Sequence, residues 1–432
     1  MFVKRRIPVV AALAAVVPLA LAACSGGGGS DTAAQPSGPV TLTWWHNGTS
    51  DPLKGIWEQV VADYHQAHPD VTIKAQPLQN EEFPTKIPLA LQSNDPPDVY
   101  QAWGGGEMAS QVTSGKVADI SDATKPWISQ AGKLATDWQA DGKQYGVPFE
   151  QHVVGFWYRK DLFTTAGITS PPSTLDELNA AVGKLKAAGL APIAVGGKDR
   201  WPDAFYYNYF AIRECSNDVL KKSVKAVKLE DPCWTKAGQD LKSFLATQPF
   251  QTGFAGTPAQ QGAGSSAGLV ANGKAAMELQ GDWEPGTMSS LTDDKQLDSK
   301  VGWFPFPAVA GGAGDPAAAL AGGDGFSCTN RAAKACADFL QYLDSEPVQT
   351  KIAAAGAGLP VNIAAAKSLK TDTLKTVFDY GQKAPYLQLY FDKAFPTAVG
   401  AALNDAVANM FAGQGTPEGI VAAVNQAAAG NK

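Results

Sequence analysis

Histidine is scarce, with four residues among 432. That leaves little room for imidazole or metal chemistry. Charge is scarce too: Asp, Glu, Lys and Arg together make up 18% of the chain. Cations show no excess, because 35 Lys and Arg face 41 Asp and Glu for a formal charge of −6. A binder of phosphate backbones is therefore not expected. No Cys-x-x-Cys spacing occurs, which argues against zinc-ribbon and thioredoxin-like sites. What is present is apolar: hydrophobic residues reach 45%, which excludes a disordered chain. The length suits two ordinary domains or one large one. Tryptophan is abundant, with 11 residues that have to be placed.

The N-terminus reads as an export signal. Lys4, Arg5 and Arg6 precede an apolar run from Ile7 to Ala20, long enough for a signal core and short for a bilayer span. Leu21-Ala22-Ala23-Cys24 then resembles the lipobox of bacterial lipoproteins, which implies cleavage before Cys24 and a diacylglycerol on its thiol. Loss of residues 1–23 would remove three cations and no acid, leaving 409 residues at a formal charge of −9. No later apolar stretch approaches the roughly 18 residues of a span, so a water-soluble body held by lipid is expected. Residues 24–39 are rich in Gly, Ser, Ala and Pro and read as a flexible tether. Cys24 aside, four cysteines remain, and an exported chain permits their pairing. Of three connectivities, the local one is favoured, Cys215 with Cys233 and Cys328 with Cys336.

Beyond the tether, strand and helix patterns alternate. Val40–Trp45, Val71–Leu78 and Asp98–Trp103 read as strands; Asp51–His68 and Glu82–Gln92 read as helices between them. That order predicts a mostly parallel sheet covered by helices. The pattern restarts after Tyr145, with strands at Val153–Tyr158, Pro192–Val195, Ala275–Leu279 and Val301–Phe306. Helices are expected at Thr174–Ala188, with Ser173 as N-cap and Glu177 near the capping-box position, and at Trp201–Arg213 and Trp234–Thr247. After Arg331 the chain is nearly all helical. The fold class is α/β in two lobes, with a helical C-terminal region.

Several motifs for catalysis fail on inspection. Gly264-Ser265-Ser266-Ala267-Gly268 matches a nucleophile elbow, but it follows no strand, and all four His precede it. His65 and His68 share a helix face at a polar end, where solvated histidine is ordinary. The clusters Gly104–Gly106 and Gly322-Gly323-Asp324-Gly325 lack the Lys-Ser/Thr of a phosphate loop; they suit close backbone approach to a neutral ligand. Glu81, Glu82, Glu150, Asp282 and Asp324 could supply a glycosidase pair, so a secreted hydrolase stays as the competing reading.

The aromatics point elsewhere. Trp44, Trp45, Trp103, Trp157, Trp201 and Trp283 fall at or just after strand ends, where open α/β sheets bind ligands. An indole face suits the C–H side of a pyranose ring, and His46, Asn47, Glu81, Gln101, Asp282 and Asp324 stand nearby for hydroxyls. Trp44, Trp57, Trp138 and Trp234 are assigned to the core. Trp45, Trp103, Trp201 and Trp283 are assigned to binding, and one of Tyr206, Tyr207 and Tyr209 is expected to reach the ligand.

In this order the segments Trp44-Trp45-His46-Asn47, Pro96-Pro97-Asp98-Val99, Tyr145-Gly146-Val147-Pro148, Phe156 to Phe163, Gly281-Asp282-Trp283, Gly302 to Pro307 and Leu359-Pro360 resemble the extracellular solute-binding proteins of carbohydrate ABC importers. Maltose-binding protein belongs to that family. The resemblance covers nearly all of 40–432. It implies a two-lobe type II periplasmic-binding-protein fold, hinged, without enzymatic activity or cofactor, working as a monomer with an ABC permease. The implied lobes are 40–148 with 300–345, and 149–299 with 346–432. It also implies Trp283 as a stacking platform, with the loops His46-Asn47 and Gln101 to Gly104, and Glu81, lining the cleft; the glycine cluster adds Gly323 and Asp324 as candidate binding residues. The segment Val99 to Gly106 resembles binders of xylo-oligosaccharides such as xylobiose.

Overall fold

The computed structural model describes residues 38–430. The signal peptide, Cys24 and nearly all of the tether lie outside the described residues. The strands are β1 (Val40–His46), β2 (Val71–Pro77), β3 (Val99–Ala102), β4 (Gln139–Ala140), β5 (Lys143–Gln144), β6 (Gly146–Val153) and β7 (Gly155–Arg159). They continue as β8 (Ala191–Ala194), β9 (Ala275–Gln280), β10 (Val301–Phe304), β11 (Ala319–Cys328), β12 (Leu359–Pro360) and β13 (Leu387–Leu389).

Two sheets organise the body. The first runs β12-β6-β11-β3-β1-β2, with β13 on the free end of β11. Its β2-β1-β3 part is parallel, as the alternating pattern predicts, and β11, β6 and β12 then join antiparallel. The second runs β10-β7-β9-β8. A separate β4–β5 ribbon stands apart.

Each lobe builds its core from large rings. In β1, Leu42, Trp44 and His46 alternate inward. The helix Leu53–Ala67 answers with Trp57, Val60 and Tyr64 on one stripe. Trp44 meets Trp57, Phe326 and Phe339 edge-on at 5.1–5.3 Å, a geometry contributing about 0.5–1.5 kcal/mol per pair beyond burial. In the second lobe the helix Trp201–Glu214 is buried from Pro202 onward, so it is apolar nearly all round. Tyr206, Tyr207 and Tyr209 all lie in that core, which corrects the expectation that one reaches a ligand.

The lobe boundaries shift from those expected. β6 belongs to the first sheet through Val153, and β7 to the second, so the first crossing is at Val154 rather than Pro148. β10 pairs antiparallel with β7, which moves the second crossing from Lys300 to the segment between Phe304 and Ala319. Arg213 fixes that segment: its buried guanidinium donates to the carbonyls of Phe306, Pro307 and Ala318 at 2.8–3.1 Å. Val348, Ile352 and Ala357 pack with Trp44 and Trp57, so the helix Glu346–Ala355 completes the first lobe. The helices Thr397–Phe411 and Pro417–Gly430 pack in the core of the second.

Local chemistry follows the sequence with one shift. The N-cap of the helix Leu175–Ala187 is Thr174, which accepts from the Glu177 N–H; Ser173 instead donates to the Glu177 carboxylate. The disulfides are the local pair, Cys215–Cys233 and Cys328–Cys336. Among the described residues, no helix is long and apolar enough to cross a membrane.

Candidate functional site

Between the two lobes lies a cleft of about 490 Å³, inside the usual range for small-molecule sites of roughly 300–1,000 Å³. The first lobe contributes Asn47 after β1, Asn80 and Glu81 after β2, and Trp103 after β3. The second contributes Trp201 and Phe205 from the buried helix and Trp283 just past β9. Glu150 and His152 of β6 and Asp324 of β11 form the floor, and Tyr390, Asp392 and Lys393 close one side.

Sheet geometry assembles the floor. Glu150 and His152 are two apart on one strand and so share a face, and Asp324 is the register partner of Glu150. His152 Nε2 stands 3.4 Å from Asp324 Oδ1 and 3.8 Å from Glu150 Oε2. Its Nδ1 is 3.2 Å from Asp282 Oδ1. Burial alone would strip the ring of its proton, but the Asp282 and Asp324 carboxylates outweigh it and hold the imidazole well above its ordinary value. Burial likewise pushes the Glu150 carboxyl well up, against the pull of His152. The Asn47 amide donates to Asp324 and to Asn80 Oδ1, bracing the floor against the first lobe.

The aromatic walls are unequal. Trp283 stands perpendicular to His152 at 4.7 Å and lies 6.3 Å from Trp201. Trp103 is only 8% exposed, because the Lys393 ammonium sits 4.4 Å over its ring while pairing with Glu107 at 2.6 Å.

Of the twelve expected binding residues, Asn47, Glu81, Trp103, Trp201, Trp283 and Asp324 meet in this cleft. The other six do not line it. Trp45 packs beside Leu78, Phe83 and Tyr100. His46 is buried against Trp44, its Nδ1 accepts from the Gly48 N–H, and burial lowers its pKa to about 4. Gln101 is buried in β3. Asp282, fully buried, accepts from the backbone N–H groups of Val153 and Leu359, both at 2.9 Å. Gly104 and Gly323 press on protein, since a Cβ would meet Asp137 O at 2.6 Å and Glu150 O at 2.5 Å respectively. The glycine clusters therefore serve packing of the chain on itself rather than approach of a ligand. Ser266 is buried and donates to Ala259 O, so its elbow-like motif is a helix start.

Sequence reasoning missed His152 and Tyr390 altogether and weighed Glu150 only as an acid. A polar Glu-Gln-His inside an apolar strand pattern was the available signal for the first pair; Tyr390 had none.

The profile of the bacterial extracellular solute-binding protein family matches residues 48–350, and the chain belongs to that family. An uncharacterised ABC-transporter extracellular-binding protein of Pyrococcus horikoshii is 26% identical over 274 residues, covering 61% of this chain and 59% of that relative. The chain thus spans under two thirds of that relative's length. A structure from work on xylan utilization by the thermophilic bacterium Caldanaerobius polysaccharolyticus superposes with a TM-score of 0.82 at 24% identity, covering 90% of this chain and 99% of that one. A chitin oligosaccharide binding protein gives 0.80 at 24% identity, covering 90% and 98%. The fold is that of the type II periplasmic solute-binding proteins.

Proposed function

We propose that the protein captures an oligosaccharide between its lobes and hands it to the permease of an ABC importer. The carrying observation is the cleft itself: Trp283 and Trp201 present ring surface above a floor of Glu150, His152 and Asp324. Indole faces suit the C–H side of pyranose rings, and the floor offers acceptors and a donor for hydroxyls. Carboxylates outnumber cations around the cleft, which disfavours phosphate-bearing solutes. Ligand that touches both lobes favours the closed state, and the permease reads that population shift. The structural likeness to the protein from the xylan-utilization work supports a xylo-oligosaccharide as first choice.

The competing hydrolase reading asks for two carboxylates on opposite sides of a bond. Glu150 and Asp324 instead stand side by side, their ligating atoms with His152 all within 4.8 Å of one another. Glu81 is engaged by the Trp201 indole. We further infer that the protein is monomeric and is anchored outside the cell membrane through Cys24, so that Cys24→Ser would abolish labelling by a fatty acid.

A thermal-shift screen of the purified protein against xylobiose, chitobiose, maltose and glycerol phosphate tests the reading. Ligand at about 100 times its Kd stabilises the folded state by roughly 2.7 kcal/mol, so one oligosaccharide should raise the melting temperature and remain intact. A shift with glycerol phosphate alone, or release of monosaccharide, would sink it.

A further inference from the structure

The cleft floor that offers partners to hydroxyls also groups one histidine and two carboxylates at metal-ligand spacing. We propose that Glu150, His152 and Asp324 form a site for one divalent transition-metal ion of the zinc class. Each offers one ligating atom, and the three lie within 4.8 Å of one another. Zinc bonds of about 2.0–2.2 Å place neighbouring tetrahedral ligands roughly 3.3 Å apart. The observed separations from His152 Nε2, 3.4 Å to Asp324 and 3.8 Å to Glu150, need only a small contraction to match.

Two buried atoms are incompletely satisfied here. Glu150 Oε1 makes no hydrogen bond within the protein, and His152 Nε2 has only its longer ion-pair contacts to Asp324 and Glu150; both residues are only 2% exposed. Such atoms are normally satisfied, and both belong to this cluster.

The support behind the histidine fits as well. Asp282 lies 3.2 Å from Nδ1 and is itself held by the Val153 and Leu359 N–H groups. A carboxylate on the far nitrogen fixes the ring so that Nε2 faces the metal. The metal takes the place of the Nε2 proton, which leaves on binding. Three protein ligands leave at least one coordination position, open toward the cleft, for water or a hydroxyl of the ligand. Calcium, which takes about six to eight oxygens, does not suit one nitrogen and two carboxylates.

Calorimetry with ZnCl2 on chelator-stripped full-length protein, without sugar, tests this. One Zn2+ per chain is expected, with no comparable binding of CaCl2. Glu150→Gln and Asp324→Asn should each weaken zinc at least about tenfold, and His152→Gln should abolish it; Asp282→Asn should weaken it about 10- to 100-fold. The double change His65→Gln, His68→Gln removes the exposed histidines and should leave binding intact. Melting temperatures of the Gln and Asn variants show that they are folded. Absence of zinc binding, binding that survives both Glu150→Gln and His152→Gln, or binding lost with His65 and His68 overturns the site. The sugar screen, run with chelator, reports separately on the capture reading.

Discussion

The indole Nε1 of Trp201 donates to Glu81 Oε1 at 3.1 Å, joining the second lobe to the first across the mouth of the cleft. Both side chains are at least partly exposed, so the bond competes with water and contributes about 0.5–1.5 kcal/mol. Glu81→Ala should therefore weaken ligand binding roughly two- to tenfold through loss of the closed state, with stability nearly unchanged. Calorimetry with the oligosaccharide found by the screen measures it. Unchanged affinity would show that the bridge is absent from the ligand-bound form.

Trp283 and Trp157 separate binding from packing. Trp157 is fully buried and its Nε1 donates to Gly281 O at 2.8 Å. Trp157→Ala should cost about 3–5 kcal/mol of stability. Trp283 lines the cleft, and its loss should cost about 1–3 kcal/mol of affinity, taking aromatic–base stacking as the guide. Paired urea melts and calorimetry on the two variants decide the matter; equal stability losses would place Trp283 in the core.

Asp282 ties the lobes together. Its carboxylate receives two backbone N–H groups from strands of the first sheet while sitting just past the end of β9 in the second. Asp282→Ala leaves those groups and His152 buried without their partner, at about 3–5 kcal/mol. A urea-unfolding midpoint shifted by less than the equivalent of about 1 kcal/mol would refute the tie.

Much of this architecture was legible because it is local. Trp57, Val60 and Tyr64 mark a helix face wherever the helix packs, and Leu42 and Trp44 mark a strand face. What periodicity does not carry is the partner. Val301–Phe306 reads as a strand, yet only the pairing of Val301–Phe304 with Phe156–Arg159 assigns its lobe. Asp282 looks like a ligand residue beside Trp283, because its partners lie 129 and 77 residues away in sequence. His152 lies just outside the strand read at Val153–Tyr158, and its place in the cleft floor emerges only when β11 brings Asp324 alongside Glu150.

The disulfides act mainly on the unfolded chain. Cys215–Cys233 and Cys328–Cys336 span sequence separations of 18 and 8. Loop-closure entropy assigns them about 3 and about 2.5 kcal/mol respectively. Replacing each pair with serines should lower the unfolding free energy in that order, as read by urea titration. A larger loss from the shorter loop would mean that native packing at Cys328 and Cys336, both in the first-lobe core, outweighs chain entropy.

A pair of buried acids should make the protein less stable as pH rises. Glu278 and Glu284 are almost fully buried, and both Glu284 oxygens lack a hydrogen-bond partner. Burial pushes Glu278 up to about 7; burial, and then the Glu278 charge, hold Glu284 well above the carboxylate range. In the unfolded chain both titrate near about 4.3. Above that value the native state binds more protons than the unfolded one, so stability is full at low pH and declines as pH rises from about 5 past 7. Asp203, raised to about 8 by burial, adds to the same slope. Glu284→Gln keeps the shape and cannot ionise. It should remove up to about 1.4 kcal/mol per pH unit from the slope and raise stability most on the alkaline side. Unfolding free energies from urea titrations across that range measure it. A slope identical in the variant would mean that Glu284 carries its charge in the folded protein, compensated by a partner it acquires in solution.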